Sequence, residues 1–284
     1  MVRRDTGLPS ADAENDFQRA RRRQILSALA RRLRREPDDV QTMLPFDDVI
    51  RALGRVSERH VGIEAIPVET IVGSVERGKE FDRRFRPTTN RIRHRWQRID
   101  LAQRKGEPIP PIDVYRVGNL HFVRDGHHRV SVANALGLEV IDASVTEIKT
   151  RVSPEGIGGL GDLTRKDYER IFAARVPLPE RMLRRIEVTD PWFYAELAEN
   201  VEAWGFRLIQ QQGRFFDRAE VARRWFAEEY EPVVEMLREA GLVGARTEAE
   251  AYMRVARERY RLIRAHEWSE EIVARLREPL RRRR

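Results

Sequence analysis

The stretch Asp125-Gly-His-His-Arg-Val-Ser-Val-Ala133 follows a segment that has the pattern of a β-hairpin. Residues 112–117 and 120–124 are rich in side chains that favour strands, and Gly118-Asn119 between them is a turn sequence. The pattern therefore predicts two antiparallel strands that end where the stretch begins.

The periodicity changes after Gly126. Apolar side chains then recur at helical spacing, and Gly137 is placed to end the helix. Residues 140–145 are typical of a further short strand. The predicted order is strand, strand, helix, strand, and its tightest turn, residues 125–129, carries two histidines and an arginine. We call this segment the histidine turn.

The histidine turn has the residues of an anion site. The first turn of a helix presents free N–H groups and the positive end of the helix dipole. Gly126 would let a ligand approach the backbone, and Asp125 would cap the helix or hold a sugar hydroxyl. Arg129 would bind a phosphate, while His127 and His128 would add hydrogen bonds or proton transfer. Alternatively, Asp125 is only an N-cap, and the basic residues form a solvated first turn.

This stretch, together with Leu136-Gly137 and the strand after it, resembles a conserved box of the ParB/sulfiredoxin superfamily. Residues 66–71 resemble the opening strand of that domain, and Pro110-Pro111-Ile112 stands where such domains enter their central hairpin. The resemblance covers about residues 61–150. It implies a small mixed-sheet domain in which nucleotide phosphates lie against the histidine turn.

The superfamily has several activities, and the sequence excludes one of them. Its members include DNA-clamping partitioning CTPases, ATP-dependent sulfiredoxins, free-serine kinases and nuclease-like proteins. The chain has no cysteine, which excludes the sulfiredoxin reaction, disulfides and zinc–thiolate sites. The histidine pair resembles the kinase branch at least as well as the partitioning branch, and residues 162–280 contain no recognisable helix-turn-helix.

Residues 72–87 are expected to form a loop before the site. Gly73-Ser74 and Arg77 are candidate phosphate donors, and Asp82 and Glu69 are candidate catalytic bases for a hydroxyl. A solvated loop packed by its phenylalanines is the structural alternative. Because no histidine or carboxylate cluster has metal-site spacing, any metal is expected to be Mg²⁺ that arrives with CTP or ATP.

Both ends of the chain are basic. Residues 1–35 hold ten arginines and four acids, and residues 281–284 are four arginines, so the rest of the chain is slightly acidic although the net charge is +8. Residues 1–12 are expected to be disordered and residues 14–35 to form a basic helix. That helix would either contact DNA or an anionic membrane surface, or dock through a narrow apolar stripe. Its candidate nucleic-acid contacts are Arg19, Arg22, Arg23, Arg31 and Arg34.

The composition and boundaries predict an α+β protein of three parts. These are a basic helical arm (1–54), a ParB/sulfiredoxin-like nucleotide domain (55–152) and, after a glycine-rich linker, a helical domain (162–280). In the helical part, residues 206–216 are expected to form a small hairpin. No apolar run reaches membrane-spanning length, and no signal-peptide pattern is present, so a cytoplasmic location is expected.

Three functions remain open from the sequence. In the first, the chain binds a nucleoside triphosphate and contacts DNA, and the nucleotide state controls a helical partner or a homodimer surface. In the second, it is a nucleotide-dependent phosphotransferase that acts on a small hydroxylated substrate. In the third, it is a protein-interaction scaffold without nucleotide.

Overall fold

The computed structural model describes residues 6–35, 42–76 and 80–263, with side chains up to residue 259. These residues form a mixed α+β protein, and the chain divides into two compact units between Leu163 and Thr164. The elements before the division are α1 (Pro9–Arg34), β1 (Leu44–Pro45), α2 (Phe46–Leu53), β2 (Arg55–Pro67), β3 (Ile71–Ser74), α3 (Arg93–Arg104), β4 (Ile112–Val117), β5 (Leu120–Asp125), α4 (His127–Leu136) and β6 (Val140–Thr150).

The first unit contains a six-stranded mixed sheet in the order β1-β3-β5-β4-β6-β2. Strands β4 and β5 form the antiparallel hairpin, and β6 lies parallel to β4 on the other side of it. Strand β3 is parallel to both β1 and β5, while β2 is antiparallel to β6. The hairpin therefore occupies the centre of the sheet, and α4 begins directly after the end of β5.

The local predictions around the histidine turn are confirmed, and two predictions before it are wrong. The hairpin, α4 and β6 form as expected. However, residues 66–71 do not form one strand, because β2 ends at Pro67, a short 3₁₀ turn follows, and β3 begins at Ile71. Residues 72–74 extend β3 rather than starting a loop.

The sheet packs on both faces because side chains alternate along its strands. On one face, Phe46 of α2 stacks on Tyr115 with 4.5 Å between ring centroids. On the other, Val114 belongs to the core that includes Trp96 of α3. The Trp96 indole donates to Ser131 Oγ at 2.8 Å, which joins α3 to α4 beneath the histidine turn.

Helix α1 begins at Pro9, so the expectation of disorder through residue 12 is wrong for residues 9–12. Its N-terminal half docks in the first unit, where Phe17 is fully buried against Trp96. Arg104 of α3 bridges the buried carboxylates of Asp12 and Asp16. The helical N-terminal half is therefore part of the sheet-containing unit, and the apolar stripe docks only through this half.

The described part of the second unit is helical. Its elements are α5 (Gly161–Arg175), α6 (Glu180–Leu183), α7 (Trp192–Gln212), α8 (Arg218–Trp225), a π-helical turn (Phe226–Tyr230), α9 (Glu231–Glu239) and α10 (Glu248–Ile263). The expected hairpin at residues 206–216 is wrong, because α7 continues to Gln212 and ends at Gly213. Among the residues described, no helix is both long and apolar enough to cross a membrane.

Candidate functional site

The histidine turn starts α4 through a glycine that no other residue could replace without strain. Gly126 has φ +106°, and a Cβ there would lie 2.5 Å from Ile112 Cγ2. Gly126 itself is the N-cap residue, and no side chain caps the helix. The prediction that Asp125 is the N-cap is therefore wrong, and the first-turn amides are left without a side-chain acceptor.

A cavity of about 240 Å³ opens at this end of α4. Side chains of both charges line it, namely three arginines and three carboxylates, together with the two histidines. The lining residues are Met43, Glu76, Glu80, Phe81, Arg95, Ile99, Arg124, Asp125, Gly126, His127, His128 and Arg129. Outside the histidine turn, the lining residues come from loops and from α3, except for Arg124 in β5. The cavity is therefore assembled from distant parts of the chain.

His127 is held by Ser74 from strand β3. The two side chains are joined by a hydrogen bond of 2.6 Å between Ser74 Oγ and His127 Nε2. Ser74 Oγ also accepts the backbone N–H of Glu76 at 3.0 Å, which leaves the hydroxyl proton free to be donated to the ring. Burial lowers the pKa of His127, so the ring is neutral at pH 7.

His128 has an unsatisfied ring nitrogen at the cavity. The side chain is 9% exposed, and its Nδ1 is buried without a hydrogen-bond partner. Burial, and then the charge of Arg95, lower its pKa to about 4. A neutral imidazole has one donor and one acceptor nitrogen, and a buried nitrogen without a partner is costly.

Arg129 has a structural role in place of the expected phosphate grip. Its Nη1 donates to the carbonyl oxygens of Pro110 and Pro111 at 2.8 and 2.6 Å. Its Nη2 is paired with Asp125. These bonds tie α4 to the segment that enters β4, so most donors of Arg129 are already engaged.

Two arginines that the sequence reasoning missed face the cavity instead. Arg124 directly precedes the histidine turn. Its guanidinium carbon lies 4.8 Å from the centroid of the Tyr115 ring, and its Nη1 lies 3.5 Å from Asp113 Oδ2. Arg95 is exposed on α3, and no carboxylate of the described residues lies within 4 Å of it. The position of Arg124 next to the turn could have indicated that it faces the cavity, whereas no pattern in the sequence places Arg95 at the cavity.

Glu76, Glu80 and Asp125 bring carboxylate oxygens to the same cavity. Oxygen ligands suit Mg²⁺, which usually also binds phosphate oxygens and water. In the described part of the chain, no group of three or more histidines and acids could hold a metal ion by itself. Among the described residues, these carboxylates add negative charge to the cavity without forming a metal site of their own.

The other candidate phosphate and catalytic residues lie elsewhere. Gly73 lies in β3, where a Cβ would be 2.2 Å from the Leu44 carbonyl oxygen, so its role is close strand packing. Asp82 accepts the amides of Arg84 and Arg86 and pairs with the Arg86 side chain at 2.7 Å, which organises its own loop. Neither of these two residues lines the cavity at the histidine turn.

The remaining two candidates are Glu69 and Arg77. Glu69 lines a separate cavity beside α1 rather than the one at the histidine turn. Arg77 lies outside the described residues. A general base for chemistry at the turn would therefore come from the carboxylates that line it.

The candidate nucleic-acid residues lie on α1, and four of the five share one face of it. Arg19 and Arg23 line one cavity, and Arg31 and Arg34 line the next. Arg22 is exposed and lines neither. Basic residues in the last turn of a helix also interact favourably with its dipole, which is a structural role for Arg31 and Arg34.

No protein-family model, curated protein or solved structure matches this chain.

Proposed function

We propose that the chain binds a nucleoside triphosphate with Mg²⁺ at the cavity of the histidine turn. The observation that carries the proposal is the uncapped first turn of α4 opening into a cavity lined by His127, His128 and three arginines. Free amides at a helix N-terminus favour anions, and phosphate oxygens would accept from them. The resemblance to ParB/sulfiredoxin domains independently suggests the same ligand and the same turn.

The charges of the cavity support a ligand that carries both phosphates and a metal. Arg95 supplies a guanidinium without a carboxylate partner among the described residues. Glu76 and Glu80 would repel a bare phosphate but would stabilise a magnesium ion bridging to it. CTP or ATP with Mg²⁺ therefore fits the balance of charge better than an isolated phosphate does.

The proposed partner of the basic helix α1 is DNA, bound without sequence specificity. Its support is the set of arginines on α1, since phosphate contacts by arginine supply most of non-specific affinity. Nucleotide state would then control this contact, a helical partner or a homodimer surface.

A phosphotransferase is the second candidate function, and one observation favours it. Neutral His127 is hydrogen-bonded to Ser74 at 2.6 Å beside the carboxylates of Glu76 and Glu80. These carboxylates can take a proton from a substrate hydroxyl, whereas Asp82 is engaged within its loop. ADP formation from ATP that depends on a hydroxylated acceptor would select this function over simple binding.

The experiment is calorimetry with CTP, ATP and ADP in the presence of Mg²⁺, on wild type, Arg95→Gln and Arg98→Gln. Arg98 lies on the same helix, is exposed and does not line the cavity, so it is the matched control. Losing a charged hydrogen bond costs about 1.5–3 kcal/mol, so Arg95→Gln should weaken binding by about tenfold or more. Arg98→Gln should bind like wild type.

The outcome also distinguishes the remaining alternatives. Preference for CTP favours the DNA-linked function, and preference for ATP favours the phosphotransferase. Absence of saturable binding to all three nucleotides would refute the proposal and leave the scaffold function.

A further inference from the structure

Helix α1 carries a stripe of arginines along one face. Arg19, Arg23, Arg31 and Arg34, with Ser27 among them, recur at intervals of three or four residues, which places them on one side of a helix. At 1.5 Å per residue, the stripe is about 22 Å long. It is therefore long enough to contact several successive phosphates of an extended chain.

The stripe faces a second arginine cluster in the loop after β3. A cavity of about 360 Å³ is lined by Arg19 and Arg23 together with Arg84 and Arg86. A second cavity of about 770 Å³ is lined by Arg31 and Arg34 together with Arg83 and Arg84. The two cavities share Arg84 and Asn134, so they are adjacent. We call the pair the arginine channel.

Three arginines of the channel lack an acidic partner. No carboxylate in the described part of the chain lies within 4 Å of Arg23, Arg31 or Arg84, and Arg31 Nε is buried without a hydrogen-bond acceptor. By contrast, Arg19 lies 3.6 Å from Asp16. Guanidinium groups without a carboxylate partner favour an anionic ligand, and phosphates in the channel would supply the negative charge.

The loop that carries the second cluster is fixed to α1 before any ligand binds. Arg86 Nη1 donates to the Arg23 carbonyl oxygen, and Arg21 Nη1 donates to the Pro87 carbonyl oxygen, both at 3.1 Å. Asp82 holds the loop from within by accepting two of its amides. The backbone on both sides of the channel is therefore held in place, which lowers the cost of ordering the channel around a ligand.

We propose that the arginine channel binds the sugar–phosphate backbone of a single-stranded nucleic acid, which deepens the proposed contact of α1 with DNA and rests on it. A flexible single strand can follow a concave channel, whereas a stiff duplex cannot enter cavities of this size. The aromatic side chain in the lining, Phe85, is 1% exposed and cannot stack on a base. Recognition would therefore be of phosphates and independent of sequence.

The channel is separate from the nucleotide cavity. The nucleotide cavity lies at the N-terminal end of α4, while the smaller channel cavity is lined by its last residues and Gly137. A helix of this length, 10 residues, spans about 15 Å. Strand binding and nucleotide binding can therefore be tested with different variants.

The test measures fluorescence anisotropy of labelled oligo-dT and oligo-rU, and of a duplex of equal length, with three proteins. These are wild type, the channel variant Arg23→Gln/Arg31→Gln, and the control Arg91→Gln/Arg98→Gln. The control removes the same charge from exposed positions of the same unit, outside α1, that do not line the channel. Arg84→Gln gives an independent test from the loop, and thermal unfolding verifies that each variant folds.

Wild type is expected to bind a single strand at least about tenfold more tightly than the duplex, and the channel variant to lose about tenfold or more of that affinity. Each lost phosphate contact lowers the salt slope of single-strand binding by about 0.7, so the channel variant should lose about 1.4. The control should keep the slope and affinity of wild type. Arg84→Gln removes one contact, so it should lower the salt slope by about 0.7, half as much as the channel variant does.

Two results would overturn the inference. Equal weakening in the channel variant and the control would mean that only net charge matters. Duplex binding as tight as single-strand binding would exclude the channel as the contact while leaving the DNA contact of α1 intact. Neither result depends on nucleotide binding, which calorimetry on the Arg95 variant tests separately.

Discussion

Stability is expected to fall in mild acid because of His121 on β5. The side chain is 5% exposed, and its Nδ1 lies 2.7 Å from Thr70 Oγ1. Thr70 donates its hydroxyl proton to the Pro67 carbonyl oxygen at 2.6 Å, so the ring must donate from Nδ1. Its other nitrogen, Nε2, is buried without a partner. A proton added there would find no acceptor.

The sign and size of the effect follow from the pKa of the ring. Burial, and then the charge of Arg116, lower the pKa of His121 from 6.5 to about 4. Below pH 6.5 the unfolded chain takes up a proton that the folded chain does not, so the free energy of unfolding falls until about pH 4. Between pH 7 and pH 5 this difference amounts to about 2 kcal/mol.

The assay is urea unfolding of wild type, His121→Gln and His94→Gln at pH 7 and pH 5. His94 is exposed, so its replacement is the matched control. His121→Gln should lose about 2 kcal/mol less than wild type between the two pH values, because its titrating group is gone. His94→Gln should lose as much as wild type. A His121→Gln protein with the pH dependence of wild type would refute the assignment of a buried neutral ring.

Three further substitutions test the packing, each by the free energy of unfolding in urea. Glu229→Gln should cost about 3 kcal/mol, because it removes the negative charge from the buried ion pair in which the Glu229 carboxylate lies 2.9 Å from Arg259 Nη1. Gly126→Ala should cost about 2 kcal/mol or more, since it combines φ +106° with a clash against Ile112. Gly213→Ala should cost only about 1 kcal/mol, because φ is +66° there but no atom lies within 4 Å. A smaller cost at Gly126 than at Gly213 would contradict this account of the two glycines.

Local patterns predicted the elements that local chemistry determines. The hairpin and α4 follow from turn residues and periodicity around the histidine turn. The sequence from Thr247 to Glu250 has the pattern of a capping box, and the structure forms one at the start of α10, where each of the two residues accepts the other's backbone N–H with its side chain. Such signals depend only on residues a few positions apart.

Pairing and packing between distant residues could not be predicted. Strand β2 pairs with β6, and nothing in its sequence specifies that partner. A glycine commonly ends a helix, but α7 continues through Gly205, where a Cβ would lie 2.5 Å from Val221 of α8. The glycine is a site of close helix packing, a use that its sequence context does not reveal.

The roles of the arginines at the site were the least predictable feature. The sequence assigned phosphate binding to Arg129, but carbonyl oxygens of Pro110 and Pro111 engage it. Arg95 reaches the cavity only because α3 packs beside α4. Spacing in the sequence indicates which residue types are available, whereas tertiary contacts decide which of their donors remain for a ligand.

The most direct test of the central claim is the NMR spectrum of the backbone amides during titration with Mg²⁺ and CTP or ATP. Phosphates bound at the uncapped first turn of α4 should give the largest saturable shifts at the amides of His127, His128 and Arg129. Saturable shifts confined to other parts of the chain, or no shifts with either nucleotide, would contradict the claim.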